Sequence, residues 1–77
     1  MKKKSDAEKD AFLLGIGKAL HKRRIQLGLS QEDLADKAKI DRSFLSGLEC
    51  GKRNISIYKL KKLSEALDIK ITDILKS

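Results

Sequence analysis

Residues 29–54 read LSQEDLADKAKIDRSFLSGLECGKRN. Two short helix-like pieces stand here with only Lys39 to Asp41 between them. Ser30 is placed to cap a helix from about Gln31 to Ala38. Leu29 and Leu34 fill the N′ and N4 places of a hydrophobic staple, which sets the angle at which the chain enters a helix. Asp41 repeats the device with Ile40 and Leu45, opening a helix over about Arg42 to Glu49 that stops before Gly51. Ser56 repeats it again with Ile55 and Leu60, opening a helix over about Ile57 to Leu67. So short a link forces the first two helices to cross steeply. The small Ala35 sits where their backbones should approach. Leu34, Ala38, Ile40, Leu45 and Leu48 then point inward. Arg42, Ser43, Ser46 and Gly47 are left on the outer side of the second.

Outward from this stretch the pattern stays helical. Before it, Phe12, Ile16, Leu20 and Leu27 recur at the spacing of one helical face. Ser5 followed by Glu8 reads as a capping box and predicts a helix start at Asp6. Gly15 and Gly17 each cost about 1 kcal/mol relative to Ala inside a helix. They predict a helix weakened or broken there, firm only over Lys18 to Leu27, with Gly28 as its left-handed cap. After the stretch, Ile57, Leu60, Leu63, Ala66 and Leu67 are expected on a buried side. Ile69 and Ile71 lead into a last turn or short helix, Thr72 to Lys76. No strand pattern is evident. The expectation is an all-α domain of five helices over 6–77, preceded by a flexible basic arm over 1–5.

Composition bounds the function. With 77 residues the chain makes one domain, and a fold this small buries only about 60–65% of its unfolded surface. Eighteen Lys and Arg against 11 Asp and Glu give a formal charge of +7. That excess favours an anionic partner such as nucleic acid. Cys50 is the only cysteine, so no intrachain disulfide can form. A reducing, cytoplasmic setting fits, with Cys50 expected as a small, partly buried apolar residue. His21 is the only histidine, which argues against a metal cluster. The apolar run Phe12-Leu13-Leu14 is far too short to span a bilayer. Nothing resembles a nucleophile–base pair or a glycine-rich phosphate loop. No catalytic residue, cofactor, metal, membrane or small-molecule substrate is therefore expected.

A tight pair of helices whose second member presents a small, polar outer face is the helix-turn-helix layout, in which that member lies in the DNA major groove. Beyond this, KRRIQLGLSQEDLADKAKIDRSFLSGLECGKRN resembles the DNA-binding domains of lambdoid phage repressors and Cro proteins. The segment DRSFLSGLE followed by KRN is most similar to the controller proteins of bacterial restriction–modification systems. The resemblance covers about residues 16 to 75 and implies a lambda-repressor-like fold.

By that resemblance, Gln31 bonds a DNA phosphate at a helix N-terminus, where free N–H groups favour anions. Arg42 and Ser43 read base edges, and an Arg can bond guanine O6 and N7 together. Ser46 and Gly47 lie along the groove, or are small simply to avoid a clash. Lys52, Arg53 and Asn54 grip the phosphate backbone, which positions a protein without specifying sequence. Arg24 and Glu49 look like a structural ion pair. Lys39 stands where the family usually has Gly or Asn in a left-handed conformation. Such domains pair on palindromic sites, and the surplus of apolar residues in IKITDIL points to Ile71, Ile74 and Leu75 as a homodimer interface. The resemblance thus implies a sequence-specific transcriptional regulator of double-stranded DNA, acting as a homodimer, that controls a restriction–modification locus. A phage-type repressor or the DNA-binding part of an antitoxin fits the same residues. A protein-interaction module reusing the fold is the contrasting class. Whether the Lys-rich arm touches DNA stays open.

Overall fold

Ser30, Asp41 and Ser56 begin helices, each by the same chemistry. Ser30 Oγ accepts the Asp33 N–H at 2.9 Å, Asp41 Oδ2 that of Phe44 at 3.1 Å and Ser56 Oγ that of Lys59 at 3.1 Å. Each cap satisfies an N–H that the helix itself cannot, and removing one costs about 1 kcal/mol. Asp33 Oδ2 also accepts the Ser30 N–H at 3.0 Å, completing a capping box. These two contacts with Ser30 hold the Asp33 carboxyl below the usual carboxylate range.

The computed structural model describes residues 3–76. Its helices are α1 (Lys4–Gln26), α2 (Gln31–Ala38), α3 (Arg42–Glu49), α4 (Ile57–Leu67) and α5 (Ile71–Leu75). No strand occurs among the described residues. The first four helices end alike. After α1, Gly28 is left-handed at φ 70°, its N–H bonding Ile25 O at 3.0 Å while Leu29 N–H bonds Arg24 O at 3.1 Å. These two bonds form the Schellman closure. They recur at Lys39 (φ 56°), Gly51 (φ 73°) and Asp68 (φ 49°). Lys39 therefore takes the left-handed turn despite its Cβ, and Lys62 Nζ donates to its carbonyl at 3.3 Å. Leu29, Ile40 and Ile69, each following one of these turns, pack partly buried against the core.

That core is mostly leucine. Leu20, Leu34, Leu45, Leu48, Leu63, Leu67 and Ile74 are fully enclosed, and Ala35, expected at the crossing of α2 and α3, is buried among them. Helix α1 packs on α3 and α5, α2 on α3 and α4, and α4 on α5. Among the described residues no buried side-chain nitrogen or oxygen lacks a hydrogen-bond partner.

Several expectations are corrected. Helix α1 runs unbroken through Gly15 and Gly17. Gly17 is there for packing: a Cβ on it would stand 2.8 Å from the Glu49 carbonyl oxygen, so the glycine lets α1 touch the end of α3. The helix starts at Lys4 with Lys3 as an N-cap that makes no side-chain bond, so Ser5 caps nothing and residues 4 and 5 are helical, not part of an arm. Lys2 lies outside the described residues. The buried stripe of α1 is Leu13, Ile16, Gly17, Leu20 and Arg24; Phe12 and Leu27 are exposed. Ile57 is 75% exposed rather than buried, and Cys50 is also exposed. Ile74 is 0% exposed. It closes the monomer core and has no surface to offer a partner copy, so it is not an interface residue.

Candidate nucleic-acid interface

The turn between α2 and α3 brings the starts of both helices to one side of the molecule. Gln31, Arg42, Ser43 and Ser46 line one shallow, open depression there. Gln31 is the first residue of α2 and Arg42 the first of α3. Arg42 and Ser43 are exposed, while Ser46, one turn on, is half-buried. Four residues expected to meet nucleic acid thus share one concavity. Helix N-termini point free N–H groups and a positive dipole end outward.

Gly47 stands apart. A Cβ on it would lie 2.6 Å from Arg53 Cγ. The Arg53 side chain crosses α3 at this point, so Gly47 is small to let it pass. Lys52 N–H bonds Gly47 O at 2.9 Å, and Asn54 Oδ1 accepts the Ile55 N–H at 2.9 Å. The loop Lys52 to Asn54 is therefore tied to α3 through Gly47, with all of its side chains exposed.

Through Gln31 the depression adjoins a polar knot. Arg24 Nε meets Glu49 Oε2 at 2.8 Å and Arg24 Nη2 meets Oε1 at 2.9 Å. Arg24 Nη1 donates to Leu29 O at 2.8 Å. The Glu49 side chain is only 4% exposed. His21 Nδ1 lies 2.9 Å from Glu49 Oε1, and Gln31 Nε2 donates to the same oxygen at 3.3 Å. Burial pushes the Glu49 carboxyl up. The bonds from Arg24, His21 and Gln31, with the Arg24 charge, outweigh it and hold the group below the usual carboxylate range. The bond to Glu49 in turn raises the Arg24 guanidinium above its ordinary value. The knot fastens α1, α2 and α3 together. It also orients Gln31, whose amide has a second N–H to present outward.

Sequence reasoning missed the roles of His21 and Phe44. His21 stood out only as a lone histidine, and its closeness to Glu49 needs the packing of α1 on α3. Phe44 lies on the flank of α3, with the Lys59 ammonium 4.1 Å and the Arg53 guanidinium 5.9 Å from its ring centre. Among the described residues no group of His, Cys, Asp and Glu could hold a metal ion, and no helix is long and apolar enough to cross a membrane.

A helix-turn-helix family model matches residues 20–74, from the last turns of α1 through both helices of the tight pair to α5. The chain belongs to this helix-turn-helix family. Among its relatives, the control protein C.MunI of a Mycoplasma species is 39% identical over 52 residues, which are 68% of this chain and 70% of that one. The control protein C.BamHI of Bacillus amyloliquefaciens is 38% identical over 47 residues, 61% of this chain and 58% of its own. The crystal structure of the restriction-modification controller protein C.AhdI from Aeromonas hydrophila superposes with a TM-score of 0.81 at 42% identity. That match covers 83% of this chain and 97% of C.AhdI.

Proposed function

We propose that this chain is a restriction–modification controller: a transcriptional regulator that binds double-stranded DNA through α3 and acts as a homodimer on a palindromic operator. The observation that carries this reading is the shared depression of Gln31, Arg42, Ser43 and Ser46 at the starts of α2 and α3. Arg42 has the reach and the planar donors to read a guanine edge in the major groove. Ser43 and Ser46 allow close approach beside it. Gln31 and the exposed loop Lys52 to Asn54 hold backbone phosphates on either side and fix the register. The formal charge of +7 draws the domain to the duplex.

A single α3 reads one half-site. Pairing about a two-fold axis would set two copies of it about 34 Å apart, one turn of DNA. Ile71, half-buried, and Leu75, 39% exposed, are the proposed contacts. The controller role itself rests on the similarity to C.MunI, C.BamHI and C.AhdI.

Titration of a fluorescent palindromic duplex at rising salt tests the reading. Each phosphate neutralised should lower log K by about 0.9 per decade of salt. Binding that ignores salt, or no binding to any duplex, would overturn it and favour a protein-interaction module.

A further inference from the structure

Two cations share one aromatic ring on the flank of α3. Lys59 Nζ lies 4.1 Å from the Phe44 ring centre and the Arg53 guanidinium carbon 5.9 Å. The negative face of an aromatic ring attracts such groups within about 6 Å. Neither cation has a carboxylate partner among the described residues, in contrast to Lys61 with Glu65 and Lys76 with Asp73. Like charges held near one ring repel each other. The ring offsets part of that repulsion, and an anion between the two charges would relieve the rest.

The assembly is built before any ligand arrives. Gly47 leaves the space that the Arg53 chain occupies. Lys52 N–H ties the loop to Gly47 O. Lys59 is anchored in the first turn of α4, where its own N–H is held by Ser56 Oγ. Phe44 is half-buried against the core, so the ring is a fixed platform. Such preordering lowers the entropy lost on binding.

We propose that Phe44 is a positioning residue that holds Arg53 and Lys59 as a paired clamp for a DNA phosphate, with Lys59 a phosphate contact beside the loop Lys52 to Asn54. The proposal rests on the DNA-binding reading above. The clamp lies on a different flank of α3 from Arg42, so it serves affinity and leaves base preference alone.

The test is anisotropy titration of the full chain with its duplex, across salt, together with thermal unfolding of each variant. Lys59→Gln and Arg53→Gln should each flatten the salt slope, and the double variant should flatten it by about 0.9 for each protein copy on the duplex. Phe44→Leu should weaken binding by about threefold to tenfold, the size of a ring–cation contact. That loss should shrink or vanish in an Arg53→Gln, Lys59→Gln background, because contacting residues act non-additively. Gly47→Ala covers the case in which Phe44→Leu fails to fold. It should keep or raise thermal stability through its helix preference yet weaken binding, with no further loss once Arg53 is Gln. If wild-type binding is intact but Lys59→Gln leaves the salt slope unchanged, or the Phe44 and Gly47 effects add fully to those of the cations, the clamp is wrong and the regulator reading stands. If the wild type shows no salt-dependent DNA binding, both fall together.

Discussion

Arg24 holds Glu49 through two nitrogens at once, Nε to Oε2 at 2.8 Å and Nη2 to Oε1 at 2.9 Å. The pair joins α1 to the last residue of α3 and is nearly closed to water. Removing either partner strands the other's charge in the interior. Arg24→Met or Glu49→Leu alone should therefore lower stability by about 3–5 kcal/mol, with the double variant recovering much of the loss. Urea unfolding of the three variants reads this directly. Single variants as stable as the wild type would show that the pair holds nothing together.

The same carboxylate makes stability depend on pH. In the folded protein Glu49 is held below its ordinary value of 4.5. A depressed carboxylate contributes stability that is complete above the unfolded value and fades as pH falls through the folded one. Melting temperature should thus hold at neutral pH and drop as the solution is taken below pH 4.5. Glu49→Gln should melt lower at neutral pH, with the gap to wild type closing in acid. A gap that widens in acid would contradict the assignment.

Gly17 separates helix preference from packing. Alanine there gains about 1 kcal/mol of helix propensity. Its Cβ would press on backbone oxygens of Leu48 and Glu49, which cannot turn aside as a side chain could. Overpacking of this kind costs about 1–3 kcal/mol, so Gly17→Ala should destabilise. A raised melting temperature would mean that α1 and α3 are less close than described.

Two neighbours in α5 should behave oppositely. Ile74→Ala opens a cavity in the core and should cost about 2–5 kcal/mol. Leu75→Lys changes an exposed position and should alter folding by no more than about 0.5 kcal/mol, while shifting the proposed dimer towards monomer in sedimentation equilibrium. A Leu75→Lys protein that stays dimeric places the pairing surface elsewhere. Ile57 and Tyr58, at 75% and 66% exposed, are then the next apolar side chains to substitute.

The parts of this fold legible in the sequence are those decided locally. Ser30, Asp41 and Ser56 satisfy N–H groups within three residues, so their chemistry names the helix starts without tertiary knowledge. The exposure of Arg42 and Ser43 follows from the short link before them. What escaped was decided across helices. The buried stripe of α1 contains Gly17 and Arg24, neither of which an apolar count selects, and it passes beside Phe12 to take Leu13. The exposure of Ile57 depends on how α4 is rotated about its axis, and the burial of Ile74 on how α5 returns to α1. At the site, Arg53 over Gly47 depends on the path of the loop after α3, and Gln31 on Glu49 on the packing of α2 against α3. Spacing alone carries no sign of them.

Selection of bound duplexes from a random pool, run with the wild type and with Arg42→Ala, bears most directly on α3 as a reader of bases. The expected result is an enriched palindrome with half-sites about one turn apart. With Arg42→Ala, one base position in each half-site should lose its preference, a discrimination worth about 1–3 kcal/mol. An Arg42→Ala protein that binds every sequence more weakly by the same factor, with the palindrome's preferences intact, would contradict it.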